Sequence, residues 1–333
     1  MHDKSGFIEA ASFFVPAAVV TVTMLAYVVR RLFGAIPTLA AIVALSFMMT
    51  RLAPGGPFDE EQALPPEIRA NLEAAYGLDQ PVTVQFGRYV NGLLHGDFGP
   101  SFKFRDFTVT ELISSGLPVS LTIGAAAMLL AITLGIPAGI WAALRQHRFV
   151  DRVVMMLAVA GMSVPIFVIA PFLALVFGIW LHWLPVAGWV PGRPGDLVLP
   201  VVTLALPVIA YLARLTRGSL LEVLRAPWIR AARARGLPPH RILLLHALPG
   251  ALLPVVSFLG PAVAATLTGS LVVETIFGLP GIGRHLVQGA LNRDYTLVMG
   301  MVIVYATLMI TSNLLADLVY AWLDPRIRRE RRL

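Results

Sequence analysis

Trp228-Ile229-Arg230-Ala231-Ala232-Arg233-Ala234-Arg235-Gly236-Leu237-Pro238-Pro239 is a short basic stretch between two long apolar ones. Its alanines and arginines favour helix. Gly236 suits the end of that helix, because glycine accepts the left-handed backbone required there. Pro238 and Pro239 then start another helix. Just upstream, Leu220, Leu221 and Leu224 recur at helical spacing. The whole segment, residues 214–248, reads as a loop carrying a short helix that lies across one side of a membrane. Two uses fit its composition. Small residues permit close approach by a partner protein, whose carboxylates the arginines can pair with. Equally, a basic helix can rest on anionic lipid.

The membrane follows from what surrounds this loop. Hydrophobic residues make up 57% of the chain and charged residues only 14%, and the mean hydropathy is +0.77. Soluble domains carry about 25% charge, so the deficit points to lipid as solvent. Six apolar stretches stand out, over residues 32–50, 119–144, 153–181, 197–213, 250–273 and 297–323. Each is close to the roughly 20 residues a spanning helix needs, and none alternates as an outer-membrane strand would. The expected fold is therefore an all-α polytopic membrane protein with six core transmembrane helices. Gly135, Pro137, Pro165, Pro171, Pro200 and Pro207 fall inside these stretches. Neighbouring helices can satisfy the backbone groups that such residues free, so bent, closely packed helices are expected.

Arginine placement orients the spans. Arg30, Arg31, Arg145, Arg148, Arg152, the seven arginines from Arg214 to Arg241, and Arg326, Arg328, Arg329, Arg331 and Arg332 all fall on one side. Few acids accompany them: Asp151, Glu222, Asp324 and Glu330. The positive-inside rule puts that side, and both ends of the six-helix core, in the cytoplasm. The net charge of +7 is then a consequence of topology and needs no nucleic acid.

Residues 1–31 form an N-terminal extension. Residues 10–29 are apolar, yet they lack a clearly basic leader and a small-residue cleavage site. A seventh span would invert every loop, so an interfacial or cytoplasmic helix is expected; a start at Met24 is the alternative. Residues 32–50 are the first span. Residues 51–116 form a small external, periplasmic subdomain, with a short helix from Pro66 to about Tyr76 and a turn-rich run from Gly96 to Ser101. Residues 117–319 hold the other five spans, and 320–333 a basic cytoplasmic tail.

Several chemistries are absent. With no cysteine, disulfides and thiolate metal sites are excluded. A P-loop needs Lys-Ser/Thr after a glycine-rich run, and the two lysines, Lys4 and Lys103, lie in no such setting. The seven histidines form no His-Glu-x-x-His pair, and no Gly-x-Ser-x-Gly elbow occurs. Gly281-Ile282-Gly283 matches only the first part of a dinucleotide loop and reads as a tight turn. Near the membrane interior stand Glu274, at the end of the fifth span, and Asp317, in the sixth. Charges there are costly and often mark a path. Glu274 therefore lines a translocation path or outer gate, or else caps a helix or serves as an interfacial anchor. Asn292, Arg293 and Asp294 at the outer mouth belong to a gate or docking contact, or else to a hydrogen-bonded turn. Asp317 faces water or pairs with an arginine.

The loop then acquires a family. Permeases of bacterial ATP-driven importers share a cytoplasmic Glu-Ala-Ala, three residues, Gly, nine residues, Ile, one residue, Leu-Pro. Here Arg230-Ala231-Ala232, Gly236, His246 and Leu248-Pro249 keep that register, with Arg230 in place of the glutamate and His246 in place of the isoleucine. The chain further resembles the B-type permease subunits of the dipeptide/oligopeptide ABC importer family. The resemblance runs from about residue 24 to the end, through Arg51-Leu52-Ala53-Pro54-Gly55, Leu64-Pro65-Pro66-Glu67, the run from His95 to Lys103, Thr216-Arg217-Gly218-Ser219, Gly278 to Gly283, Gly289 to Tyr295, and Asp324-Pro325. It implies a type I importer fold, a second, C-type permease subunit, two ATP-binding subunits that hold ATP and Mg, and a periplasmic peptide-binding protein. The permease itself would carry no cofactor and no metal. Arg230, Ala231, Ala232, Arg233, Gly236 and Leu237 would seat in a groove of one ATPase. The implied cargo is a peptide, most simply an oligopeptide. Sibling importers carry dipeptides, nickel or glutathione. A secondary transporter would want mid-span acids, which are scarce here, and a membrane hydrolase would want a nucleophile and base that are not found.

Overall fold

The computed structural model describes residues 17–52, 74, 77–104 and 106–323. Apart from Ala74, which is helical, the expected helix at 66–76, the first sixteen residues and the tail from 324 onward lie outside the described residues. Ten helices carry the described fold: α1 Ala17–Leu52, α2 Val82–Leu94, α3 Val109–Leu144, α4 Phe149–Ser163, α5 Ile166–Leu173, α6 Gly195–Leu224, α7 Pro227–Ala234, α8 Leu253–Ile276, α9 Ile282–Leu291 and α10 Tyr295–Leu323. Wider, π-type turns extend α5 to Trp180 and form part of the 239–251 connector. Among the described residues, five helices are long and apolar enough to cross a membrane, and the bent pair α4–α5 makes a sixth span if counted as one.

The bend is 105°, where the sequence reads as one continuous span. Pro165 explains it. Proline disfavours helical backbone at the preceding residue, and Val164 is extended, with φ −89° and ψ 123°. By contrast, Pro118 and Pro137 are carried within α3. That helix also takes in residues 109–116, because Thr108 and Glu111 form a capping box: the Glu111 N–H donates to the Thr108 hydroxyl at 3.2 Å, and the Thr108 N–H to the Glu111 carboxylate at 2.8 Å. At about 1.5 Å per residue, the 36 residues of α3 exceed a bilayer core, so part of the helix stands outside it.

α3 and α6 form the spine. A β-carbon at Gly135 would stand 2.9 Å from the carbonyl oxygen of Ile209, and one at Gly139 2.5 Å from that of Ala213. Two glycines four residues apart thus let the backbones touch, as small residues do between membrane helices. Around this contact Met128, Ala131, Val208, Leu212, Val255 and Ala262 join α3, α6 and α8 in one buried cluster. α1 lies outside it, antiparallel to α10. Arg31 pairs with Asp317 at 2.6 Å near one end, and the Thr50 hydroxyl reaches Met299 Sδ near the other. Asp317 thus takes the arginine partner that was one of its two expected fates. α1 runs unbroken through Arg30 and Arg31, so the end of the N-terminal extension and the first span are one helix. Its exposed Phe33, Met49 and Leu52 form the apolar surface expected of a helix in lipid or against another subunit.

Candidate functional site

Two regions at opposite ends of the spine hold the candidate residues. At the arginine-rich end, α7 follows α6 after only Arg225 and Ala226. Pro227 opens the helix at its first position. Ile229 and Ala232 are buried and join Ala143, Leu220, Ile242, Ala247 and Ala251 in a cluster with α3, α6 and the 239–251 connector. Gly236, at φ +75°, ends α7. Its N–H donates to the Arg233 carbonyl at 2.9 Å, and the Leu237 N–H to that of Ala232 at 3.3 Å. This is the paired ending in which a left-handed residue satisfies the last carbonyls, and Leu237 packs back on the same cluster.

Arg230, Ala231, Arg233, Ala234, Arg235 and Gly236 are consequently exposed. α7 is a platform with an anchored face and a displayed face. The six sequence-predicted coupling residues lie on α7 and its closing turn but divide between the faces. Ala232 faces the protein's own core and Leu237 is half-buried, while Arg230, Ala231, Arg233 and Gly236 face outward. Arg233 also borders an open groove between α7 and the α3–α4 loop, with Leu144, Arg148, Arg225 and His240.

Beside that groove is a contact that sequence reasoning did not single out. Asp151, in the first turn of α4, is 3% exposed. Arg217 on α6 donates to both of its oxygens, from Nε at 2.5 Å and from Nη2 at 2.8 Å. The His147 N–H donates to the same carboxylate at 2.9 Å, from a left-handed residue at φ 64°. The available signal was a lone acid, Asp151, among Arg145, Arg148 and Arg152.

At the other end, Glu274 is fully buried. Its carboxylate accepts the Gly283 N–H at 2.7 Å and the Arg284 N–H at 3.3 Å, while the Ser120 hydroxyl oxygen accepts the Ile282 N–H at 3.0 Å. The first three amides of α9 therefore find acceptors on α8 and α3. A carboxylate is favoured there by the positive end of the helix. The expected tight turn at Gly281-Ile282-Gly283 is present, and it is the start of α9. A β-carbon at Gly281 would come within 2.3 Å of the Glu274 carboxylate, so the cap requires glycine.

α9 ends at Asn292, Arg293 and Asp294. The Arg293 N–H bonds the Ala290 carbonyl at 3.4 Å and the Asp294 N–H that of Gly289 at 2.9 Å, with Arg293 left-handed at φ 54°. Asp294, also fully buried, caps α10 through the Leu297 N–H at 3.1 Å and receives the Ser101 hydroxyl. Asn292 is exposed. The structure thus shows a helix cap at Glu274 and a hydrogen-bonded turn at 292–294. Nearby, Tyr89 on α2 packs with Phe47 of α1, and burial pushes its phenol well above the ordinary range. Among the described residues no three His, Asp or Glu side chains stand together as a metal site would require.

Residues 135–329 match the family described as "Binding-protein-dependent transport system inner membrane component", and residues 24–124 its N-terminal counterpart. The oligopeptide transport system permease protein OppB of Escherichia coli (strain K12) is 52% identical over 305 residues, covering 92% of this chain and all of the relative. The dipeptide transport system permease protein DppB of Bacillus subtilis (strain 168) is 40% identical, covering 92% of this chain and 98% of the relative. Among solved structures, the inward-facing MetNI methionine ABC transporter superposes with a TM-score of 0.53 at 18% identity, over 64% of this chain and 96% of the other. That likeness covers the fold. With the spans, the α7 platform and these matches in hand, the chain belongs to the inner-membrane permease components of binding-protein-dependent ABC importers.

Proposed function

We propose that this permease carries oligopeptides inward across the bacterial inner membrane by alternating access, and that partner subunits bind and hydrolyse the ATP. The observation that carries the reading is α7: a short helix anchored by Ile229 and Ala232, displaying Arg230, Ala231 and Arg233 at the arginine-rich end. The positive-inside rule assigns that end to the cytoplasm, where an ATPase would receive it. The 52% identity to an oligopeptide permease supports the cargo. Neither lysine sits in a P-loop, so ATP and Mg belong to two ATP-binding partners. A C-type permease would complete the pore, and a periplasmic peptide-binding protein would deliver cargo to the Glu274 and Asp294 end.

The test is uptake by proteoliposomes holding the whole complex, offered a labelled tetrapeptide, a dipeptide, glutathione or nickel. ATP-dependent accumulation of the tetrapeptide in preference to the others is expected. Accumulation of another cargo alone would replace the substrate. Uptake driven by an ion gradient without ATP would overturn the mechanism.

A further inference from the structure

We infer that the Asp151–Arg217 pair is the strut through which movement of α7 reaches the bent helix α4–α5; the inference rests on the transport reading above. Arg217 stands on α6 one residue after Thr216, two turns before the helix ends at Leu224. The connection to α7 is stiff. The Arg225 N–H bonds the Glu222 carbonyl at 3.1 Å, the Ala226 N–H that of Val223 at 3.0 Å, and the Ile229 N–H that of Ala226 at 3.1 Å. Movement of α7 therefore moves the end of α6.

The two-pronged contact at 2.5 and 2.8 Å passes that movement on to α4. A bidentate Arg–carboxylate contact fixes orientation as well as distance, so it transmits sliding and rotation that one hydrogen bond would let slip. The buried position of Asp151 strengthens it, because separating such a pair leaves an uncompensated charge. The same carboxylate holds the His147 N–H at 2.9 Å, which makes the α3–α4 loop part of the moving unit.

Asp151 lies at one end of α4, and the 105° bend at Val164 and Pro165 lies at the other. α4 is a lever about 18 Å long between them, at 1.5 Å per residue. Toward the bend it meets α6 closely at Gly161, where a β-carbon would stand 3.1 Å from that of Ala210. Driven at the Asp151 end and braced at Gly161, α4 changes the angle it makes with α5. Asp151 and Arg217 are positioning residues; neither is assigned contact with the peptide.

The test uses the complete complex in proteoliposomes and reads labelled tetrapeptide taken up per ATP hydrolysed. Asp151→Asn and Arg217→Gln are expected to lower that ratio by about three- to thirtyfold, the range over which residues on a coupling route act, with hydrolysis continuing. The double variant is expected to be no worse than the worse single one, because one contact is removed in all three. Wild-type ratios in the single variants, or losses that multiply in the double, would overturn the strut. Where Asp151→Asn prevents assembly, Arg217→Lys decides. It keeps the charge but not the fork, so a lowered ratio supports the strut and an unchanged ratio overturns it. No ATP-dependent uptake by the wild-type complex would instead overturn the transport reading.

Discussion

The Asp294 carboxylate accepts the hydroxyl of Ser101, 193 residues earlier, and with its other oxygen caps α10 through the Leu297 N–H. One side chain thus ties the 97–104 loop to the start of the last span. Thr296 reinforces the tie by donating to the Pro100 carbonyl at 2.7 Å. Asp294→Ala removes the cap and strands two buried donors, which together cost about 2–4 kcal/mol. Asp294→Asn keeps a capping oxygen and loses the second acceptor, so it should fall between. Thermal unfolding of the purified subunit in detergent ranks the three, and protease cleavage within the 97–104 loop should rise in the same order.

The α3–α6 spine predicts a sharp contrast between glycines. At Gly139 a β-carbon would meet the Ala213 carbonyl oxygen at 2.5 Å and Thr216 Cβ at 2.7 Å. Neither can withdraw without moving α6, so Gly139→Ala should cost about 1–3 kcal/mol, as overpacking does. At Gly34 on α1 nothing lies within 4 Å. There alanine gains helix propensity worth up to about 1 kcal/mol. Unfolding temperatures measured side by side check both signs.

The spans and the arginine-rich loop were legible because hydropathy and glycine placement are local properties. The break in α4–α5 was half legible. Pro165 marks it, but tolerated prolines such as Pro118 and Pro137 look the same in sequence, and only packing separates them. A cap at Glu274 was one of the readings the sequence left open, but neither it nor the cap at Asp294 could be assigned from sequence. Their partners, Ser120 and Ser101, are brought to them from remote parts of the chain by the tertiary fold. Asp151 and Arg217 failed for the same reason, since nothing local says which of many arginines meets this buried acid.

Under the proposed docking of α7, its two faces separate partner contact from folding. Ala231 is exposed and Ala232 is buried against Ile229 and Leu220. Ala231→Asp should leave the subunit's stability within about 0.5 kcal/mol, as surface changes do, while abolishing co-purification of an ATP-binding partner. Ala232→Asp buries a carboxylate without a partner, a change that costs several kcal/mol, and should lower the yield of folded subunit itself. Equal behaviour of the two variants would contradict the division of the helix into an anchored and a displayed face.

His285 on α9 predicts a pH response at the Glu274 end of the molecule. Its ring lies edge-on to Phe104, with centroids 6.4 Å apart. Burial, and secondarily the neighbouring Arg284, hold its pKa below the ordinary imidazole value. The folded state therefore binds its proton less readily than the unfolded chain. Unfolding then takes up a proton as the medium acidifies, and stability must fall with it. The contribution is intact above the unfolded value, near 6.5. It declines as pH drops through that value and levels off once the lower, folded value is passed. His285→Phe keeps an aromatic ring beside Phe104 and removes the titration. Unfolding temperatures at pH 7.5 and 5.5 should therefore differ less in the variant than in the wild type. A wild-type subunit that gains stability on acidification over this window, with the gain lost in His285→Phe, would show that the half-buried imidazole finds a counter-charge on folding.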